Sequence, residues 1–490
     1  MPELCEHQRE AVEFARRHPR WLNTSEYGTG KTCPAAVWLK DLIPAHRALI
    51  VCTSSKVDDW YAAVRTWGRD WWSVALLGGD RVTKRRQRWR EFRKPHHVAI
   101  INFEGLQIFG KALLGYDVLI VDELHHAKNA TSLVSRSLAA LGANALYVHG
   151  ITGSPVLENL LDAYGVVRVV APDVFGSSLT RFRDLWFRYQ SDRVCPQCGR
   201  NFGPLPEAPR CEACDLTAER AYPKWKPRPM AVEFLSMAIH AISFRKTRAE
   251  IPFDWPLEVN ADRIVVRLHP KVEKLMRALE KETSVLLLGD VLRTEDLRAR
   301  FQKMLCLASG WMYGSDRRAI HIADRNPKVE ALEEHLEEIR GRGQVVVWAV
   351  RPPDFELIGR AMTRMGMSYG CVQGSTPKRQ RPDIMAEFNG GVREGLIAHP
   401  LCLSEGVDMV AHYGTYFSRT WSHLEFDQSR GRLVRMFQRK ERVVYTQIAA
   451  AGLDDAVVDL LEGPKRDLLR DVMRTRALPT AKARRRTGAA

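Results

Sequence analysis

Short apolar runs alternate along the chain with longer stretches in which apolar residues recur at a helical period. The runs are ALIVC (48–52), VAIIN (98–102), DVLIVDE (117–123) and NALYVHGITG (144–153). They are rich in β-branched residues and bounded by polar turns, which is typical of strands buried on both faces of a parallel sheet. Because amphipathic stretches at 56–67 and 132–142 lie between them, the pattern predicts a parallel sheet covered by helices.

A second series of the same kind follows an interrupted centre. The first series stops near Pro172, and the chain is then rich in Arg, Pro and Cys to about residue 250. Residues 268–310 have the pattern of long helices, and strand-like runs such as QVVVWAV (344–350) resume after residue 328. We therefore expect an α/β fold with two parallel-sheet lobes in tandem. The expected units are a first lobe (1–171), an insertion (172–250), a helical linker (251–326), a second lobe (327–464) and a basic tail (465–490).

The amino-acid composition indicates what kind of molecule the protein binds. The 490 residues include 74 Lys and Arg against 58 Asp and Glu, a net charge of +16. A globular protein this basic often acts on a polyanion, and nucleic acid is the first expectation. No apolar run approaches the roughly 18 residues that span a bilayer, so we expect no membrane partner. The N-terminal segment is too charged for a secretory signal, which predicts a cytoplasmic protein.

The segment SEYGTGKT (25–32) has the composition of a phosphate-binding loop. Such a loop needs glycines so that backbone N–H groups can surround a phosphate, and Gly28 and Gly30 supply them. Lys31 would reach the β- and γ-phosphates of ATP, and the Thr32 hydroxyl would bind Mg²⁺. Ser25 replaces the first glycine of the general pattern. The alternative is a glycine turn that binds no phosphate.

The segment YDVLIVDELHHAKN (116–129) ends a predicted buried strand in two acids. Asp122 would lie beside the Mg²⁺, and Glu123 would orient and deprotonate the attacking water. A strand that merely ends in two solvated acids is the alternative. The two acids lie about 90 residues after the glycine loop and directly follow a buried strand. The loop and the acids together therefore predict a nucleotide site.

Four cysteines are clustered in the interrupted centre. They form two CxxC pairs, Cys195 with Cys198 and Cys211 with Cys214, separated by 12 residues. Two such pairs deliver four thiolates to a tetrahedron, which is the preferred geometry of structural Zn²⁺. The sequence therefore predicts a zinc-ribbon-like insertion, and redox pairs or free thiols are the alternatives. Arginine and lysine residues surround the cysteines, so the insertion could contact nucleic acid or a protein partner.

The order of the motifs resembles that of superfamily two helicases and translocases. GTGKT, DELH, ITGSP (151–155) and QSRGRLVR (428–435) follow one another as in that superfamily. Trp60 within 49–60 and the Lys128–Asn129 pair after the acids resemble the Swi/Snf-type remodelling branch. The resemblance covers about 1–170 and 240–450. The chain departs from the branch at 404–406, where Ser-Glu-Gly replaces a glycine-rich run, and at Leu433–Val434.

The resemblance implies two RecA-like lobes that close on ATP and Mg²⁺. It implies a DNA-dependent ATPase that moves on duplex DNA. Because the chain is compact and shows no obvious chromatin-reading segment, we expect a bacterial or phage protein. Gln8 would contact the adenine, Thr29 would lie in the nucleotide loop, and Gln428 would connect nucleotide to nucleic acid. Arg435 would be the arginine finger, with Arg432 beside it on the phosphates.

Alternatives remain for the two arginines and for the activity. A three-residue spacing would place Arg432 and Arg435 on one face of a helix, whereas an exposed basic helix is the alternative. A strand-separating helicase on branched DNA or RNA, and an ATP-gated nucleic-acid-binding switch, are the alternative activities.

Overall fold

The computed structural model describes most of the chain between residues 3 and 459. The residues outside the description within that span are 44, 79–84, 154–159, 191–192, 196–200, 204–206, 221–223, 261–262, 278–301, 315, 317, 324, 404–408, 421, 435–440, 453 and 455–456. Among the described residues, no helix has the length and apolar character needed to cross a lipid bilayer.

The first lobe is built on a seven-stranded sheet whose strand pairs are all parallel. Its strands are β1 (Arg20–Asn23), β2 (Ala48–Cys52), β3 (Val74–Leu76), β4 (Val98–Asn102), β5 (Val118–Val121), β6 (Tyr147–Ile151) and β14 (Ser243–Phe244). The spatial order is β14-β1-β6-β5-β2-β4-β3. The carboxyl ends of these parallel strands meet at one edge, where ligands of α/β sheets bind.

Helices cover both faces of this sheet because its strands alternate between two apolar cores. Leu49 and Val51 of β2 pack into one core, and Ile50 and Cys52 pack into the other. The helices are α1 (Glu6–Arg17), α2 (Thr32–Leu42), α3 (Val57–Trp67), α4 (Arg85–Arg93), α5 (Leu106–Phe109), α6 (Leu133–Asn144) and α7 (Asp162–Val170). At the start of α6, the Ser132 hydroxyl accepts from the backbone N–H of Ser135, which satisfies one of the helix's unpaired donors.

The insertion carries helices next to the lobe and short antiparallel strands farther out. The helices are α8 (Pro172–Phe175), α9 (Leu179–Trp186) and α10 (Ala231–Ala241). The strands are β7 (Phe187–Gln190), β8 (Arg193–Val194), β9 (Asn201–Gly203), β10 (Arg210–Cys211), β11 (Leu216–Thr217), β12 (Glu219–Arg220) and β13 (Lys224–Pro227). Phe182, Leu235 and Ile239 pack against Tyr164 and Val167 of α7, so the insertion is anchored on the first lobe.

The second lobe repeats the parallel architecture. Its sheet has the order β15-β23-β22-β19-β21-β20, and β16 also pairs with β23. The strands are β15 (Leu257–Asn260), β16 (Ile264–Val266), β19 (Val345–Trp348), β20 (Tyr369–Val372), β21 (Gly395–Ala398), β22 (Tyr413–Tyr416) and β23 (Arg442–Ala450), with a separate hairpin of β17 (Trp311–Tyr313) and β18 (Ala319–His321). The helices are α11 (Pro327–Ile339), α12 (Pro352–Arg364), α13 (Arg381–Asn389) and α14 (His423–Arg430). Residues 270–277 and 302–308 are also helical.

Three buried charged side chains form a cluster in the second lobe. The Lys328 ammonium donates to Asp454 at 2.5 Å, and Arg419 Nη1 donates to the other Asp454 oxygen at 3.1 Å. All three side chains are less than 5% exposed. Burial raises the pKa of Asp454, but the two cations outweigh it and leave that pKa below its ordinary value. The cluster ties the start of α11 to the chain that follows β23.

The two-lobe α/β fold expected from the sequence is confirmed, but two of the expected boundaries differ from the structure. β14 belongs to the first sheet, where Leu22 of β1 pairs with Ser243, so the first lobe resumes inside the expected insertion. β15 and β16 pair with β23 and therefore belong to the second sheet, although 251–326 was expected to be a helical linker. The expected tail lies outside the described residues.

Candidate nucleotide site and cysteine cluster

The glycine loop lies between β1 and α2, at the carboxyl edge of the first sheet. Gly28 and Gly30 have φ angles of +84° and +73°, which glycine adopts without strain. Lys31 immediately precedes Thr32, the first residue of α2, so the loop leads into a helix N-terminus. The Lys31 ammonium donates to the carbonyls of Ser25 and Glu26, at 2.9 Å each. A cation therefore points into the loop, as a phosphate site requires.

Helix α1 supports the loop from outside. Gln8 is buried, and its side-chain amide donates to the Gly30 carbonyl at 3.3 Å. The Nε2 atom of His7 lies 2.9 Å from the carbonyl oxygen of Thr29. The Thr29 hydroxyl turns inward and donates to Glu26 at 2.9 Å. Gln8 thus contacts the glycine loop, and Thr29 lies within it.

Asp122 directly follows β5 and is nearly buried. Its Oδ2 accepts from the indole Nε1 of Trp60 at 2.8 Å, and its Oδ1 accepts from the backbone N–H of Glu123 at 3.0 Å. Burial raises the pKa of Asp122, and the neighbouring charge of Glu123 raises it further. Positive charge, here from Lys56 and from any cation bound at the carboxylate, favours its ionised form.

Glu123 is held in a left-handed backbone conformation, with φ and ψ both at 50°. A non-glycine residue in this region stores strain, which is a common property of functional sites. His125 Nδ1 lies 3.2 Å from the Glu123 carboxylate. Burial alone would raise the pKa of Glu123, but His125, Lys31 and Arg432 together lower it to about 2. Glu123 is therefore ionised at neutral pH and can accept a hydrogen bond from water.

The second lobe reaches the same place through the turn after α14. A side-chain carbon placed on Gly431 would lie 3.0 Å from the Cβ of Tyr27, in the glycine loop. Arg432 follows directly, is 3% exposed, and contributes to the lowered pKa of Glu123. Gln428 is buried one turn earlier in α14. The structure thus brings Arg432 of the second lobe to the acids of the first.

The helical spacing expected for the two arginines does not hold at Arg432. Helix α14 ends at Arg430, and Gly431 and Arg432 lie in the turn that follows. The expectation that Arg432 projects from a helix face was therefore wrong, because the helix stops at Gly431. Arg435 lies outside the described residues.

Ion pairs that sequence reasoning had not identified connect the two lobes beside this turn. The Arg248 guanidinium lies 3.5 Å from Glu26 in the glycine loop and 2.6 Å from Glu258 of β15. Glu258 also accepts from Arg430 at 3.0 Å. Arg248 lies in the basic stretch FRKTRAEI (244–251). Its partner Glu258 lies in a stretch with no recognisable motif, so this pairing left no signal in the sequence.

The cysteine cluster forms in the outer part of the insertion. The sulfur atoms of Cys195, Cys211 and Cys214 lie within 4.8 Å of one another, and Cys198 is outside the described residues. Cys195 directly follows β8, and the Cys211–Cys214 turn joins the paired strands β10 and β11. The backbone N–H of Asp215 donates to the Cys211 carbonyl at 2.7 Å, which closes this turn. Three converging thiols at hairpin turns fit a tetrahedral metal site.

Comparisons with known protein families match two parts of the chain. The family described as SNF2-related domain matches residues 7–198. The family described as helicase conserved C-terminal domain matches residues 327–437. The first match includes the glycine loop, Asp122 and Glu123, and the second includes Gln428 and Arg432.

Curated relatives cover the chain to different extents. The DNA repair and recombination protein RAD54-like of Gallus gallus is 30% identical over 200 residues, which are 36% of this chain and 27% of that protein. The protein of the same name from Drosophila persimilis is 22% identical over 93% of this chain and 62% of its own length. A SWI/SNF-related matrix-associated actin-dependent regulator of chromatin from Bos taurus is 28% identical over 34% of this chain and 17% of its length. The chain thus spans less than two thirds of each of these relatives.

A solved structure aligns along most of the chain. It is the Sulfolobus solfataricus SWI2/SNF2 ATPase core in complex with dsDNA, which is 16% identical to this chain. The alignment covers 96% of this chain and 93% of the other, with a TM-score of 0.40.

Proposed function

We propose that this chain, which carries an SNF2-related domain and a helicase conserved C-terminal domain, is an ATP-driven motor that moves along duplex DNA. One observation supports this above the others. The turn that carries Arg432 in one lobe approaches the glycine loop of the other lobe, and the Arg432 charge acts on Glu123. A nucleotide bound there would contact both lobes, so its hydrolysis could open and close them.

Each lobe would supply a different part of the reaction. The backbone N–H groups of the loop and the Lys31 ammonium would hold the phosphates, once Lys31 exchanges its carbonyl partners for phosphate oxygens. Thr32 and Asp122 would hold Mg²⁺, which when bound neutralises charge on the phosphates. Glu123, ionised beside His125, would orient the attacking water. Gln8 would contact the adenine next to the loop that it already supports.

The second lobe would stabilise the charge that develops on the transferred phosphoryl group. Arg432 supports this proposal because its charge already acts on Glu123 across the cleft. We propose Arg435, three residues farther along the same segment, as the arginine finger, and Gln428 as the link between nucleotide and nucleic acid. Positive groups of this kind act only when the lobes are closed, so hydrolysis would depend on closure.

Duplex DNA is the proposed track. The net charge of +16 favours a polyanion, and relatives that match most of this chain are named for DNA repair and recombination. The Lys128–Asn129 pair and Trp60 resemble the remodelling branch, whose members act on intact duplexes. Binding would depend mainly on phosphates, so affinity should fall steeply with salt and show little base preference.

The test is ATP hydrolysis at fixed ionic strength with duplex DNA, single-stranded DNA and RNA of equal length. We expect duplex DNA to raise the rate most. Equal stimulation by single strands or RNA would favour a strand-separating helicase instead. Binding of duplex without stimulated turnover would favour an ATP-gated switch, and displacement of an annealed strand would separate helicase from translocase.

For the insertion we propose a structural zinc site formed by Cys195, Cys198, Cys211 and Cys214. The convergence of three of these thiols supports it. Four protein ligands would leave no open position, so the metal would stabilise the insertion and take no part in hydrolysis. We also propose that the protein works in the cytoplasm, where reducing conditions keep these thiols available to a metal. The surrounding basic residues make DNA or a protein partner the proposed contact of this insertion.

A further inference from the structure

Trp60 lies in α3, on the face of that helix that packs against the first sheet. The residue is 0% exposed and belongs to the same core as Val57 and Val64 of its own helix. An indole ring fixed on all sides by core side chains has little rotational freedom. The direction of its N–H group is therefore set by the packing of the lobe.

That N–H group points at the acid proposed to hold Mg²⁺. Trp60 Nε1 donates to Asp122 Oδ2 at 2.8 Å, although 62 residues separate the two positions in sequence. The opposite oxygen, Oδ1, accepts from the backbone N–H of Glu123 at 3.0 Å. The backbone N–H of Asp122 donates to Val51 of β2 at 2.8 Å. One donor on each oxygen and one fixed main-chain bond together set the orientation of the carboxylate.

The arrangement leaves the carboxylate able to bind a cation. Each carboxylate oxygen can accept two hydrogen bonds, and each of these uses one. Indole N–H is a donor without acceptor capacity, so it cannot take the position of a proton acceptor or of a metal ligand. Trp60 thus restrains Asp122 without competing for the metal.

Two other tryptophans show that burial alone does not require such a contact. Trp21 and Trp72 belong to the same core and are 0% and 2% exposed, and their Nε1 atoms have no hydrogen-bond partner among the residues that the structure describes. An indole N–H without a partner is therefore compatible with this core. The contact with Asp122 is a property of position 60.

We infer that Trp60 is a positioning residue for Mg²⁺, which acts by holding the Asp122 carboxylate in the orientation that the metal requires. The inference rests on the proposed function, in which ATP binds with Mg²⁺ at this site. Partners that orient metal ligands typically contribute about 10- to 100-fold to metal affinity or activity.

The test measures binding of a fluorescent, non-hydrolysable ATP analogue to the full chain across a series of Mg²⁺ concentrations. Trp60→Phe keeps an aromatic ring in the core but removes the N–H donor. We expect it to raise the Mg²⁺ concentration that gives half of the metal-dependent increase in affinity by about 10-fold or more. Affinity in the presence of EDTA should stay as in wild type, because the N–H group that the substitution removes donates to Asp122. Trp72→Phe, which removes an unpartnered N–H from the same core, should leave both values unchanged.

The outcomes separate this inference from the proposed function. Wild-type protein that shows no Mg²⁺-dependent nucleotide binding would refute the proposed function itself. If wild-type binding depends on Mg²⁺ and Trp60→Phe has the same Mg²⁺ requirement, the inference about Trp60 is overturned and the proposed function is not. Equal shifts in Trp60→Phe and Trp72→Phe would also overturn it, since they would reflect disturbed packing.

A second variant guards against a packing defect in Trp60→Phe. A benzothiophene analogue of tryptophan at position 60 has the ring size of indole with sulfur in place of N–H. It should raise the Mg²⁺ requirement in the same direction, and an unchanged requirement would overturn the inference.

Discussion

Replacing Asp454 by Asn should destabilise the second lobe far more than an ordinary surface charge change. Asp454 is the shared anion of Lys328 and Arg419, and all three side chains are less than 5% exposed. The amide of Asn is nearly the same size as the carboxylate, so the substitution leaves packing in place. It removes the carboxylate that pairs with both of these buried cations.

The magnitude follows from that geometry. Removing one partner of a buried ion pair costs about 3–5 kcal/mol, because the remaining charge stays desolvated without compensation. Two cations remain here, so we expect a loss at the upper end of this range. Asp459 offers a matched control: it pairs with Arg263 at 2.9 Å, but its side chain is 69% exposed. Asp459→Asn should therefore cost at most about 1 kcal/mol.

The assay is urea unfolding followed by tryptophan fluorescence, since Trp348 is fully buried in the second lobe. The pKa of Asp454 lies below its ordinary value of 3.8, so its stabilising contribution is present above that value and is lost as pH falls through the folded-state pKa. The difference between wild type and Asp454→Asn should accordingly narrow below about pH 4. Equal losses for the two Asn variants, or a difference that does not change in acid, would refute this reasoning.

Three further predictions concern the nucleotide site and the insertion. Lys31→Ala should weaken ATP binding, whereas Glu123→Gln should retain binding and stop hydrolysis. Nucleotide titration and turnover assays distinguish the two variants, and normal turnover in Glu123→Gln would show that Glu123 takes no part in the reaction. Arg435→Ala should lower kcat by roughly 100-fold with much less effect on nucleotide affinity, and a variant with wild-type kcat would mean that another residue is the finger. Metal analysis should find about one zinc per chain. The double variant Cys195→Ser with Cys211→Ser should lose the zinc and keep ATPase activity, whereas the control Cys371→Ser should keep both. Wild-type protein that is purified without chelator and contains no zinc would contradict the proposed zinc site.

The strands that sequence patterns located best are those buried on both faces. ALIVC and VAIIN correspond residue for residue to β2 and β4, because a run of β-branched residues leaves few alternatives to a central parallel strand. β14 and β15 were not recognised. β14 has two half-buried residues, and β15 is partly exposed along its whole length, so neither carries an apolar run. Their places are set by pairing with strands about 200 residues away in sequence.

In the candidate site, too, residues within local motifs were predicted, whereas contacts between distant segments were not. The motif spacing led to Lys31, Asp122 and Glu123, and the structure places them at one edge of one sheet. The contact from Trp60 to Asp122 and the pair of Arg248 with Glu258 depend on how elements pack in three dimensions. The end of α14 at Gly431 was also missed, since a helical period in the sequence continues past the point where the backbone turns.

The antiparallel pairing of β7 and β13 has a consequence for how this chain could change. Phe187 pairs with Pro227, so the outer part of the insertion leaves the body and returns to it through two neighbouring strands. The described strands between them, which carry the cysteine cluster, are joined to the rest of the chain through these two paired strands, which form a narrow stalk. A tight turn across that stalk would shorten the chain without moving any strand of the two large sheets. The outer part is thus an exchangeable module, in which length, metal ligands and surface charge can be altered while the cleft between the lobes keeps its form.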